Sequence, residues 1–120
     1  MIWDRTSPCA TCPYRRDVKL ALWSEEEFVK LRRQDADPLT GAVYGCHSSA
    51  VKPVEERRPC AGWLLDQKRR NLPSIQLRLA LIHKPEAREL LDRVTDGGAD
   101  LYDSIQEMHE TNYPPVEVIQ

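Results

Sequence analysis

Four residues carry the reactive chemistry of this chain: Cys9, Cys12, Cys46 and Cys60. Two residues separate the first pair, 33 the second and third cysteines, and 13 the last two. A C-x2-C turn can aim both of its sulfurs at one metal or cluster, and two further thiolates complete a four-sulfur site. Soft thiolates select zinc or iron–sulfur centres over hard cations. The same residues also admit three other readings: small buried apolar groups, disulfides, or a thioredoxin-like redox pair at Cys9 and Cys12. The redox pair needs a strand before it and a helix directly after it. Only eight residues precede Cys9, and Pro13-Tyr14-Arg15-Arg16 follow Cys12. A shared metal site accounts best for a cysteine pair set between prolines.

The surroundings of the cysteines bear on which metal. Structural zinc sites are usually built from two close pairs, whereas here the second pair is split and no knuckle glycine directly follows Cys12 or Cys60. Iron–sulfur sites accept one close pair with scattered single cysteines, often beside proline. Pro8, Pro13 and Pro59 abut Cys9, Cys12 and Cys60. The spacing therefore favours a [4Fe-4S] cluster, with zinc as the alternative. His47 is positioned to replace a cysteine ligand or to hydrogen-bond a ligand sulfur. Arg15 and Arg16 bring positive charge to an anionic thiolate site, with Asp17 holding one of them. Tyr14 and Trp63 are expected to shield the site from water. The sequence contains no Gly-rich phosphate loop, no G-x-S-x-G elbow and no H-E-x-x-H motif, and no catalytic residue is assigned.

The elements that must position these residues are mainly helical. A helix is expected from Ser24 to Gln34, opened by a Ser24/Glu27 capping box, with Phe28 and Leu31 inward, joined by Leu20, Leu22 and Trp23 from the lead-in. Ala42 to Cys46 reads as a short strand and His47 to Pro59 as a loop. Cys60 to Arg70 reads as a helix with Trp63 and Leu64 inward, although Gly62 works against it. Residues 75–84 alternate like a strand, but their helix-forming composition and the Ser74 start favour a helix. Helices over 85–94 and 99–110 follow, and the chain closes on an extended tail from Tyr113. The expected fold is a small, mainly α single domain. Its irregular cysteine-rich part (1–65) is organised around the metal site, a helical part covers 66–112, and the tail covers 113–120.

Composition sets the context. The chain has 120 residues, 30% of them charged, with nine prolines and one phenylalanine, so its core is thin and gains from an added constraint. No apolar run approaches the roughly 18 residues of a membrane span. The first residues lack the apolar stretch of a secretory signal, which points to the cytoplasm (the host-cell cytoplasm if the chain is phage-encoded). The net charge of −2 gives no bulk attraction to nucleic acid or membrane. It conceals an asymmetry, because residues 68–88 carry six basic groups against one acidic and residues 89–120 carry eight acidic against one basic. Arg57, Arg58, Lys68, Arg69 and Arg70 form a candidate nucleic-acid strip, although no aromatic residue is interleaved with them. A macromolecular partner is expected, with protein favoured over nucleic acid.

The C-x2-C-P start and the C-x13-C pair resemble the cluster ligands of iron–sulfur uracil-DNA glycosylases, although the enclosing domain of those enzymes is missing. Pro8-Cys9-Ala10-Thr11-Cys12-Pro13-Tyr14-Arg15-Arg16-Asp17, Gly45-Cys46-His47 and Cys60-Ala61-Gly62-Trp63-Leu64 occur in that order. These blocks resemble an uncharacterised domain-of-unknown-function family of short actinobacterial and actinophage proteins. The resemblance covers roughly residues 8 to 83. It implies a small intracellular protein with four motif cysteines and supplies no activity. The spacing does not match WhiB-type cluster regulators, whose last three cysteines are clustered. The expected function is a non-enzymatic metal-binding or regulatory protein. A cluster-dependent, transcription-associated regulator and a thiol–disulfide redox protein using Cys9 and Cys12 are the alternatives.

Overall fold

Five α-helices lie among the described residues: α1 (Glu25–Asp35), α2 (Ala61–Arg69), α3 (Ile75–His83), α4 (Pro85–Arg93) and α5 (Ile105–Asn112). The computed structural model describes residues 1–46 and 51–116. No named strand occurs among them. Their only β pairing is two isolated antiparallel bridges, Arg15 with Leu101 and Gly45 with Pro59. The mainly helical expectation therefore holds. No helix among the described residues is long and apolar enough to cross a membrane.

Local chemistry explains most boundaries. Glu25, Glu26 and Glu27 sit in the first turn of α1, with Arg32 and Arg33 in its last, matching the helix dipole at both ends. The capping box does not form. Ser24 holds the N-cap position without a side-chain bond, and Glu27 accepts the Tyr44 hydroxyl at 3.3 Å instead. Ser74 does cap α3, its Oγ accepting the Leu77 N–H at 3.2 Å, which resolves the alternating 75–84 pattern as a helix. Pro85 opens α4 at a position where the missing N–H costs nothing.

Three further expectations are corrected. The last helix begins at Ile105, not Ala99. Leu101 is committed to the bridge with Arg15, and Ser104 caps the helix by accepting the Glu107 N–H at 3.0 Å. Ala42 to Cys46 forms a single bridge and not a strand, since Pro59 opposite has no N–H to extend a ladder. Leu20 and Leu22 do not join the core; they are 53% and 47% exposed. Of the lead-in residues only Trp23 packs against the core, and its indole N–H donates to the Thr11 carbonyl at 2.8 Å. Pro114 to Val116 continue past α5 as an exposed segment, and 117–120 lie outside the described residues.

The buried apolar residues form one cluster drawn from both parts of the chain. Trp3, Cys12, Tyr14, Phe28, Leu31, Tyr44, Cys60, Trp63, Leu64, Leu77, Leu90, Tyr102 and Met108 all belong to it. α1 packs on α5, and α3 on α4. His109, on α5, packs its ring against α1. Its ring stacks on Phe28 at 5.9 Å and 10°, Nε2 lies 3.0 Å from Glu25, and Nδ1 accepts from Arg32 at 3.1 Å. His109→Ala removes the stack and leaves both partners without the ring. A loss of about 1–2 kcal/mol is expected in urea unfolding. An unchanged midpoint contradicts this account of the α1–α5 contact.

Candidate functional site

Three backbone devices bring the cysteines together. Residues 9 to 12 form a tight turn, with the Cys12 N–H donating to the Cys9 carbonyl at 3.1 Å and the Arg15 N–H returning to the Cys12 carbonyl at 3.0 Å. That turn is tied to the C-terminal segment where the Tyr102 N–H donates to the Tyr14 carbonyl at 2.9 Å. The antiparallel Gly45–Pro59 bridge sets Cys46 opposite Arg58 and Cys60 opposite Tyr44, which carries the two cysteines on adjacent segments: the Cys46 N–H donates to the Arg58 carbonyl at 2.6 Å and the Cys60 N–H to the Tyr44 carbonyl at 2.9 Å. Cys60 is also the N-cap residue of α2, so its sulfur lies at the positive end of a helix.

The sulfurs pair across the chain. Cys12 Sγ lies 3.7 Å from Cys60 Sγ, and Cys46 Sγ lies 3.9 Å from Cys9 Sγ. Both separations far exceed a disulfide bond of about 2.05 Å, so all four are thiols. The C-x2-C residues thus each contact a distant cysteine. The two pairs are electrostatic neighbours, Cys12 acting on Cys9 and Cys46 acting on Cys60. Among the described residues, no three His, Cys, Asp or Glu side chains gather closely enough to hold a metal ion.

The environment treats the thiols unequally. Cys12 titrates below its ordinary value, chiefly because the Cys60 thiol hydrogen-bonds to it. The peptide N–H groups of Tyr14 and Gly62 and the Arg15 charge act the same way against its burial. Cys60 is pushed well up by that same bond to Cys12 and by burial. Cys9 is raised by burial and then by the neighbouring Cys46. Peptide N–H groups of Thr11 and Trp63 point at Cys9 and Cys60. Inward-turned N–H groups around sulfur are what a thiolate centre requires.

The accessory residues divide. Arg15 grips Asp17 through two bonds of 2.8 and 2.7 Å while favouring the ionised Cys12. Tyr14 is 2% and Trp63 is 4% exposed, so both exclude water. Arg16 is drawn away from the sulfurs. It pairs with Asp100, Asp103 and Glu107 and lies 5.0 Å over the Tyr102 ring. His47 lies outside the described residues.

The basic strip does not assemble. Arg57 and Arg58 precede α2, whereas Lys68, Arg69 and Arg70 lie at its far end, roughly 13 Å along a nine-residue helix. Arg58 pairs with Asp4 at 2.7 Å, and Arg57 donates to the Lys52 carbonyl. Arg69 and Arg70 both grip the buried Asp66, Arg70 also reaching Asp35 on α1, and Lys68 donates to the Leu91 carbonyl. Carboxylates thus neutralise three of the five in place.

Sequence reasoning took Gly62 only as a weakness in the 60–70 helix, not as a contact with the site. A Cβ built there comes within 2.7 Å of Tyr14 Cβ and 2.9 Å of Cys12 Sγ. The α2 backbone therefore rests directly on the Cys12 sulfur. A glycine in the first turn of a helix, two residues after a cysteine, was the available signal.

No curated protein and no solved structure matches this chain. A family model described as a family of unknown function (DUF6283) matches residues 4–117, nearly the whole length, and the chain belongs to that family.

Proposed function

We propose that this chain is a small non-enzymatic metal-binding protein in which Cys9, Cys12, Cys46 and Cys60 share one metal, and that the metal is zinc. The sulfur separations carry this reading. Zinc–sulfur bonds of about 2.3 Å at the tetrahedral angle put neighbouring sulfurs roughly 3.8 Å apart. The two thiol contacts, 3.7 and 3.9 Å, match that edge. A [4Fe-4S] cluster interposes its own iron and sulfide between the thiolates and holds them well beyond contact. Metal uptake has to draw the two neighbouring pairs onto one centre. The metal then ties the 9–12 turn, the Gly45–Pro59 bridge and the start of α2 together, which a chain with one phenylalanine has reason to need. Since the cations weighed for nucleic acid are largely tied up within the fold, a protein is the favoured partner.

Metal and acid-labile sulfide content, with a visible spectrum, test this on protein purified without oxygen. Zinc in equimolar amount without sulfide is the expected result. Iron with sulfide overturns zinc in favour of the cluster, and neither metal overturns the shared site. Binding is also expected to release protons. Cys9 and Cys60, both raised, keep their protons near neutrality until zinc displaces them, so affinity falls as pH falls. Titration calorimetry in buffers of different ionisation enthalpy reads this release, and proton-neutral binding at pH 7 contradicts it.

A further inference from the structure

We infer that Cys9 is an oxidation site for peroxides and that its resolving partner is Cys46, not its sequence neighbour Cys12. The inference rests on the proposed metal site and adds its regulation. Three observations carry it. Cys9 is the only partly exposed cysteine, whereas Cys12, Cys46 and Cys60 are each 2% exposed or less. Its sulfur touches that of Cys46 at 3.9 Å, while Cys12 is engaged with Cys60 at 3.7 Å. Cys9 also sits at the start of a turn whose next two residues, Ala10 and Thr11, are exposed. That is the part of the site best able to close the remaining distance of about 2 Å to a disulfide.

The chemistry balances with hydrogen peroxide as the oxidant. Cys9 reacts as the thiolate that zinc binding leaves once its proton has gone to solvent: it attacks one peroxide oxygen, the O–O bond breaks, and Cys9 becomes a sulfenic acid with release of hydroxide. The Cys46 thiolate then attacks the Cys9 sulfur, forming the S–S bond and expelling a second hydroxide. The two sulfurs together lose two electrons, peroxide gains them, and two protons from solvent convert the hydroxides to water. Cys12 Sγ, beneath the α2 backbone at Gly62, is shut away from the oxidant. The result removes two of four metal ligands at once and leaves only the Cys12–Cys60 pair, so oxidation releases the metal.

The test uses the full zinc-loaded chain and equimolar hydrogen peroxide, with proteolysis and fragmentation mass spectrometry after alkylation and a chromogenic chelator for zinc. A Cys9–Cys46 disulfide is expected first, appearing together with zinc, and zinc loss is expected to run roughly tenfold or more above the peroxide-free control. A first disulfide joining Cys9 to Cys12 or Cys12 to Cys60 overturns the inference, as does a Cys9 sulfinate without a disulfide. In Cys46→Ser the Cys9 sulfenic acid is expected to persist and to be trapped by dimedone. The wild-type map stands without that variant should it fail to fold. If the chain binds no zinc, the same map on the metal-free chain separates the two claims. Cys9–Cys46 first then keeps the pairing while the metal reading fails, and any other connectivity overturns the pairing.

Discussion

Cys12→Ser is expected to abolish stoichiometric zinc binding and the cooperative unfolding transition with it. Cys12 is 1% exposed, touches Cys60, and receives the peptide N–H groups of Tyr14 and Gly62. A hydroxyl is a poor soft-metal ligand and leaves three thiolates around an incomplete shell. The free energy at stake is large on the scale of this chain. Structural zinc contributes on the order of 10 kcal/mol of coupled folding in small domains, comparable to the ~5–15 kcal/mol stability of a typical domain. The loss is not expected to be uniform. α3 and α4 pack on each other and carry no cysteine, so they are expected to retain part of the helical signal. Far-ultraviolet circular dichroism is therefore expected to fall part of the way, and near-ultraviolet signals from buried Tyr14 and Trp63 are expected to collapse. Adding a strong chelator to the wild type should reproduce the spectrum. A Cys12→Ser chain that holds one equivalent of zinc, or unfolds within about 1 kcal/mol of wild type, contradicts the proposed centre.

What was legible in the sequence follows from how local each signal is. α1, α3 and α4 announce themselves through charge at their ends, a serine cap and a proline at the first position, all read within a few residues. The ambiguous 75–84 segment also resolves locally, because the Ser74 cap outweighs the accidental alternation of leucines. The failures are non-local. Ala99–Ser104 lost its helix to a bridge with Arg15, far away in sequence, and Ala42–Cys46 met a proline across the turn. Arg16 was read as a neighbour of the sulfurs, yet three carboxylates near the other end of the chain take it. At the cysteines, spacing nominated all four residues. Which sulfur meets which depends on the Gly45–Pro59 bridge and on where α2 begins, and neither is written in the spacing. A basic strip is similarly a one-dimensional pattern. Arg70 is one of its five members, but folding turns it into a brace between Asp35 on α1 and Asp66 on α2.

Gly62→Ala separates packing at the site from helix propensity, because the two predict opposite signs. Alanine in place of glycine inside a helix ordinarily stabilises by about 1 kcal/mol. Gly62 lies within α2, so propensity alone predicts a gain. The added methyl has no room. It would sit 2.7 Å from Tyr14 Cβ, 2.9 Å from Tyr14 Cδ2 and 2.9 Å from Cys12 Sγ, and none of these is the loose end of a flexible chain. Tyr14 is fully packed, and its backbone is fixed by the Tyr102 N–H at 2.9 Å. Cys12 is held on its other side by Cys60. The 9–12 turn must therefore move off α2, which also pulls the Gly62 N–H away from the sulfur it stabilises. Overpacking of this kind costs about 1–3 kcal/mol, and loss of the N–H bond to a thiolate adds to it, so a net destabilisation of roughly 2–4 kcal/mol is expected. Weaker zinc binding is expected alongside, since the displaced sulfur is a proposed ligand. Denaturant unfolding and a competitive zinc titration on the same variant check both. A more stable Gly62→Ala chain with unchanged zinc affinity would mean that α2 does not rest on the Cys12 sulfur.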